Sequence, residues 1–133
     1  MSLNLFARAA ALAIGSVAIG HFGVADLKGD YKIEFVVDGG TYAGTAKFTP
    51  GQQGAFTAKY DFTSPSPIKS DVTGTMKGDS VSFEGKYDDT GRNCSGTFVG
   101  KGAAEKDGSK ANGALDINDS CGGAITGTFR VWR

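Results

Sequence analysis

From Tyr31 to the end of the chain, apolar and polar residues alternate with a period of two, and turn-forming residues break the alternation every ten to fifteen residues. No stretch keeps an apolar face at helical spacing. The pattern predicts eight strands, near 30–38, 41–49, 55–63, 68–77, 80–88, 94–102, 111–119 and 124–132. Between them lie Gly39-Gly40, Pro50-Gly51, Ser64-Pro65-Ser66-Pro67, Gly78-Asp79, Thr90-Gly91, Asp107-Gly108 and Gly122-Gly123. Joints this short connect antiparallel neighbours, because parallel pairs need long crossovers.

Folding the chain at these joints pairs like with like. A turn centred on Gly39-Gly40 sets Val37 against Tyr42, Phe35 against Gly44, Ile33 against Ala46 and Tyr31 against Phe48. Folding at Gly78-Asp79 sets Met76 against Val81, Gly74 against Phe83 and Val72 against Gly85. Folding at Asp107-Gly108 sets Gly100 against Leu115, Phe98 against Ile117 and Cys94 against Cys121. A slip of one residue would turn every apolar side chain outward, so the agreement fixes the register. It also brings the two cysteines within disulfide reach.

Eight strands with one apolar face must hide it, and closure into an up-and-down antiparallel barrel also removes both unpaired edges. A two-sheet sandwich is the alternative. The outward set carries Lys32, Glu34, Lys47, Lys59, Asp61, Lys69, Asp71, Glu84, Lys86, Lys101 and Asp116. A barrel in a membrane needs an apolar outer band, so this pattern predicts a soluble one.

The inward set is mainly rings and glycines: Tyr31, Phe35, Phe48, Phe56, Phe83, Phe98 and Phe129 beside Gly44, Gly74, Gly85, Gly96, Gly100, Gly113 and Gly127. Either the rings lie over the glycines and fill the interior, or the glycines leave space for a ligand; an eight-stranded barrel permits both. The two ends differ. The joints at 39–40, 64–67, 89–93 and 121–123 gather at one rim, where the inward positions turn polar at Tyr42, Tyr60, Ser70, Tyr87 and Asp119. Phe48, Phe56, Met76, Val81 and Val131 close the other end. Ligand sites are mostly apolar with a few converging polar groups, so these five rim residues are the candidate ligand-binding set.

The first 25 residues read differently. Arg8 is the only charge before Asp26, Ala9 to Gly20 is nearly unbroken apolar sequence, and Gly23-Val24-Ala25 supplies small residues for cleavage. Positive, apolar and small residues in that order predict a signal peptide over 1–25, with a single barrel domain over 26–133. Export to a periplasmic or secreted location is the consequence, and an oxidising compartment suits a Cys94–Cys121 disulfide. Cleavage removes Arg8 and the only histidine, His21, from a chain with 14 basic and 14 acidic residues, leaving acids one in excess. That balance carries no electrostatic footprint for nucleic acid, nor for a membrane surface once the leader is cleaved.

Without histidine, a serine–histidine triad, a cysteine–histidine pair and histidine metal ligation are all excluded within the mature chain. Asp88, Asp89 and Asp119 fall near the rim and read as solvated turn carboxylates. No catalytic residue, metal or cofactor is therefore expected. Trp132, between Arg130 and Arg133, has outward parity; it is expected to plug the closed end or to seat a second subunit.

Gly29-Asp30-Tyr31, at the start of the first strand, resembles the Gly-x-Trp of the avidin and lipocalin (calycin-type) small barrels, with tyrosine in place of tryptophan. Thr73-Gly74-Thr75 and Thr126-Gly127-Thr128-Phe129 resemble the glycine–threonine strands of avidins, which also share a basic residue near the end of the last strand. The resemblance implies binding of small apolar molecules, or protease inhibition as in some bacterial barrels of this shape. It does not extend to biotin, which avidins surround with several tryptophans where this chain has only Trp132. The expectation is an exported, non-catalytic barrel whose small, largely apolar ligand enters by the polar rim. A protein-binding or inhibitor barrel with a filled core is the alternative, followed by a cofactor-free cyclase or isomerase.

Overall fold

A computed structural model describes residues 26–133, and the expected signal peptide lies outside the described residues. Eight strands follow in order: β1 (Gly29–Val37), β2 (Gly40–Pro50), β3 (Ala55–Ser64), β4 (Ile68–Lys77), β5 (Ser80–Asp89), β6 (Cys94–Ala104), β7 (Lys110–Asp119) and β8 (Gly123–Trp132). Each pairs antiparallel with the next, and β1 also pairs with β8, Phe35 opposite Phe129, so the sheet closes on itself. The sandwich alternative is thereby set aside. Closure satisfies both edges and lets the alternating residues put one set in the interior and the charged set outside.

Two of the three hairpins have the expected register: Gly74 opposes Phe83 and Phe98 opposes Ile117. The first differs by two residues. Val37 pairs with Gly40, Phe35 with Tyr42, Ile33 with Gly44 and Tyr31 with Ala46. The turn is Asp38-Gly39, with φ of 50° and 77°, and not Gly39-Gly40. Two successive residues at positive φ make the tight turn that matches strand twist, and aspartate followed by glycine suits it. A shift of two leaves every side chain on its expected face.

The interior of the middle and lower barrel is filled. Phe35, Tyr60, Phe83 and Phe98 meet one another edge-on or stacked, with centroids 5.4–6.4 Å apart. Rings lie directly over glycines: a methyl group at Gly100 would run into the Phe83 ring, one at Gly74 into Phe56, and one at Gly85 would stand 2.6 Å from the Phe98 ring. The closed end is covered by Leu27 and by Tyr31, whose hydroxyl donates to the Gly108 carbonyl while Arg133 sits 4.9 Å over its ring. Trp132 is not the plug. Alternation puts its neighbour Val131 inside, and Trp132 lies half-buried on the outer wall beneath the Arg130 guanidinium at 4.3 Å.

Cys94 and Cys121 form the disulfide, with Cα atoms 5.7 Å apart, just past the last β6–β7 rung at Gly96 and Asp119. Replacing both cysteines by serine should cost about 2–4 kcal/mol in urea unfolding without reductant, since the open chain regains the entropy of that loop. Gly100→Ala should cost about 1–3 kcal/mol in the same assay, because the Phe83 ring has no room to retreat in a filled interior.

Candidate functional site: a cavity at the barrel rim

The ring packing stops short of one end. There a half-open cavity of about 440 Å³ is lined by Phe35, Phe62, Ile68, Phe98, Ile117 and Ile125 along its walls. Tyr42, Tyr87, Arg92, Asp119 and Asp38 stand among the residues around its mouth. It opens at the rim that carries the β1–β2, β3–β4, β5–β6 and β7–β8 joints. Both readings of the interior therefore hold in different halves of one barrel: rings on glycines below, space above.

The structure brings Tyr42, Tyr87 and Asp119 together around this cavity. Tyr60 and Ser70 do not line it. They oppose each other on β3 and β4 as expected, but Tyr60 is 1% exposed among the core rings, and the Ser70 hydroxyl donates to the Lys86 carbonyl at 2.6 Å. One inward position further along the same two strands stand Phe62 and Ile68, and these face the cavity. Strands in a barrel tilt against its axis, so residues level in the ladder are not level in height. Parity and the adjoining proline-rich joint mark Phe62 and Ile68 in the sequence; the tilt that favours them over Tyr60 and Ser70 is not written there.

Arg92 organises the mouth. Its Nε donates to Asp89 Oδ2 at 2.7 Å and its Nη2 to Asp119 Oδ2 at 3.1 Å. Asp119 also accepts the Tyr87 hydroxyl and the amides of Cys121 and Gly122, at 2.8 and 3.0 Å, so it holds the β7–β8 turn in shape. Asp89 further accepts the Ser66 hydroxyl at 3.3 Å, tying in the β3–β4 joint. Of the three acids near the rim, Asp88 is exposed as a solvated turn residue; Asp119 is buried at the inward position expected of it, and Asp89, read as solvated, is buried too. Inward parity carries Asp89 and Asp119 off the surface, and a buried carboxylate persists where donors surround it. A cation was needed between them, and Arg92 is the basic residue of the adjoining turn.

The ionisation states follow from these contacts. The Tyr87 hydrogen bond, reinforced by the turn amides and Arg92, holds Asp119 far below the usual carboxylate range despite its burial. Burial pushes Asp89 up, but hydrogen bonds and charge from Arg92 outweigh it and keep that carboxyl low as well. Desolvation, with the Asp119 contact, pushes the Tyr87 hydroxyl well above its ordinary value, so it remains a proton donor. Cys94, Asp119 and Cys121 cluster closely, but both sulfurs are spent in the disulfide, which removes them as metal ligands.

Fold and site together define a closed eight-stranded antiparallel barrel with a rim cavity. Solved structures with the same architecture include a redesigned β-barrel, b11L5F_LGL, at 20% identity, covering 80% of this chain and 90% of that one with a TM-score of 0.60. EF1p2_mFAP2b bound to DFHBI matches at 16% identity over 80% of this chain and 93% of that one, TM-score 0.62. The redesigned barrel mFAP1, also bound to DFHBI, matches at 20% identity over 80% and 94%, TM-score 0.55. These likenesses establish the fold. No protein-family model matches the chain, and no curated protein matches it.

Because folding favours ionised Asp119 and Asp89, the stability they confer is complete above the ordinary aspartate value of 3.8 and is lost as pH falls below it toward their folded values. Asp119→Asn should lower stability by about 1–3 kcal/mol at neutral pH. The two proteins should converge as the solution becomes strongly acidic, as read from urea midpoints across a pH series.

Proposed function

We propose that this chain is an exported, non-catalytic barrel that holds a small, largely apolar molecule in its rim cavity. The observation that carries the reading is the cavity itself: about 440 Å³, apolar along its walls, with polar groups gathered at its mouth. Ligand pockets commonly have volumes of about 300–1,000 Å³ and this division of apolar body and few polar anchors. That barrels of the same fold are bound to DFHBI supports the idea that the architecture accommodates a small ligand at modest cost. The avidin-like and lipocalin-like strand motifs favour the same reading. Against catalysis stands the commitment of Asp89 and Asp119 to Arg92 and to turn amides, which leaves neither carboxylate free to exchange protons near neutral pH. The charge–apolar–small order of residues 1–25 and the disulfide support export.

Native mass spectrometry of the protein from its own exported fraction, without reductant, tests this directly. The expected spectrum shows an oxidised chain beginning at Asp26, with extra mass that departs on unfolding. Ile125→Trp, which places an indole in the cavity from a half-buried rim position, should abolish the extra mass and leave the melting temperature nearly unchanged. An unliganded wild-type spectrum, with no mass difference from the Ile125→Trp variant, would reject the reading.

A further inference from the structure

The mouth of the cavity also bears on the chemical class of its occupant, an inference that rests on the small-ligand reading. Two carboxylates, Asp89 and Asp119, share one guanidinium, so the ionised cluster carries one net negative charge. Asp38, on the mouth of the same cavity, adds another. The acceptor atoms of the buried pair are occupied: Asp119 takes four donors, and Asp89 takes the Arg92 Nε, the Arg92 amide and the Ser66 hydroxyl. The donors are not all occupied. Among the described residues, Arg92 Nη1 and the Tyr42 hydroxyl have no hydrogen-bond partner, and both residues line the cavity. Some 45% of the Arg92 side chain is exposed.

We infer that the cavity selects an uncharged, flat apolar molecule bearing one strong acceptor, such as a ketone carbonyl, which receives hydrogen bonds from the Tyr42 hydroxyl and Arg92 Nη1. Unspent donors over an apolar well ask for an acceptor, since a hydrocarbon there would strip water from them and return nothing. An anionic acceptor gains one guanidinium but meets the charges of two carboxylates already bound to that guanidinium, so the attraction is largely cancelled. A cation faces Arg92 at close range and finds both buried carboxylates already saturated with donors. The aromatic rings of Phe35, Phe62, Phe98 and Tyr87 around the well suit a planar body.

Four probes of one size separate the possibilities by titration calorimetry against the oxidised, ligand-free protein: acetylnaphthalene, isopropenylnaphthalene, naphthoate and naphthylmethylammonium. Acetylnaphthalene should bind about tenfold more tightly than its hydrocarbon analogue, the value of one well-made hydrogen bond. Tyr42→Phe should erase most of that margin, read as the ratio of ketone to hydrocarbon affinity on the same variant, and thermal melting checks that the variant is folded. Arg92→Lys, which keeps the charge but changes the donor geometry, serves as a second variant with the same expected direction. Equal binding of the ketone and the hydrocarbon, or tightest binding of naphthoate or of the ammonium, would overturn the neutral-acceptor assignment while leaving the ligand barrel standing. If none of the four binds, the well does not take a flat body of this size and this inference falls, while the ligand-barrel reading is decided by the native mass spectrum.

Discussion

The structure depends on the laying of aromatic rings over glycines. Eight strands enclose a lumen just wide enough for inward side chains to fill, so large rings there need room in the facing wall. The chain resolves this by leaving out the β-carbon where a ring from a neighbouring strand must lie. Phe83 lies on Gly100, Phe98 on Gly85 and Phe56 on Gly74, close enough that a single added methyl group would collide. Each such pair fixes the ring's direction as well as its depth. The central rings then meet at angles that interlock, so the middle of the barrel is a solid core and the wall above it can stand open.

The same device, used once more at the rim, keeps space open. Tyr87 leans on Gly96, where a β-carbon would come within 2.6 Å of its hydroxyl oxygen. That hydroxyl is held by Asp119 at the end of β7, so the ring lies along the wall. On the opposite wall the inward residues are Val37 and Ile125, which are too short to cross the lumen. An open mouth of this kind would spread without reinforcement. Two ties join the β5–β6 and β7–β8 loops there: the Asp89–Arg92–Asp119 ion pairs and the Cys94–Cys121 disulfide. The first is directional and sensitive to acid, the second covalent, and both converge on the turn that Asp119 shapes through its bonds to the amides of Cys121 and Gly122.

Much of this was legible in the sequence because period-two alternation and turn chemistry are local. All eight strands, two hairpin registers, the closed sheet and the cysteine pairing follow from residues near one another in the chain or related by a single turn. The first hairpin shows the limit of that reasoning. Asp38-Gly39 and Gly39-Gly40 are both acceptable turns on paper, and only the backbone at Asp38, with its positive φ, decides between them. Height along the barrel axis was less legible still. It accumulates from the tilt of every strand, so Tyr60 and Ser70, level with the rim in the ladder, sit a step too deep in the barrel. The bridging role of Arg92 was illegible for a different reason: as a turn residue it looks like any solvated arginine until the burial of its two partners is known.

At 16–20% identity the fold neighbours share the barrel architecture alone. In this chain the mouth is built by Arg92 from the β5–β6 loop and by Tyr87, Asp89 and Asp119 from the rim ends of β5 and β7. Closure of the sheet demands none of these particular side chains. Two buried carboxylates bridged by a half-exposed arginine, beside a disulfide, are more than the winding requires. What such a triad does confer is fixed geometry for the donors it leaves facing the cavity. That rigidity sits at the open end of the barrel, beside the cavity, where it supports the proposed ligand site.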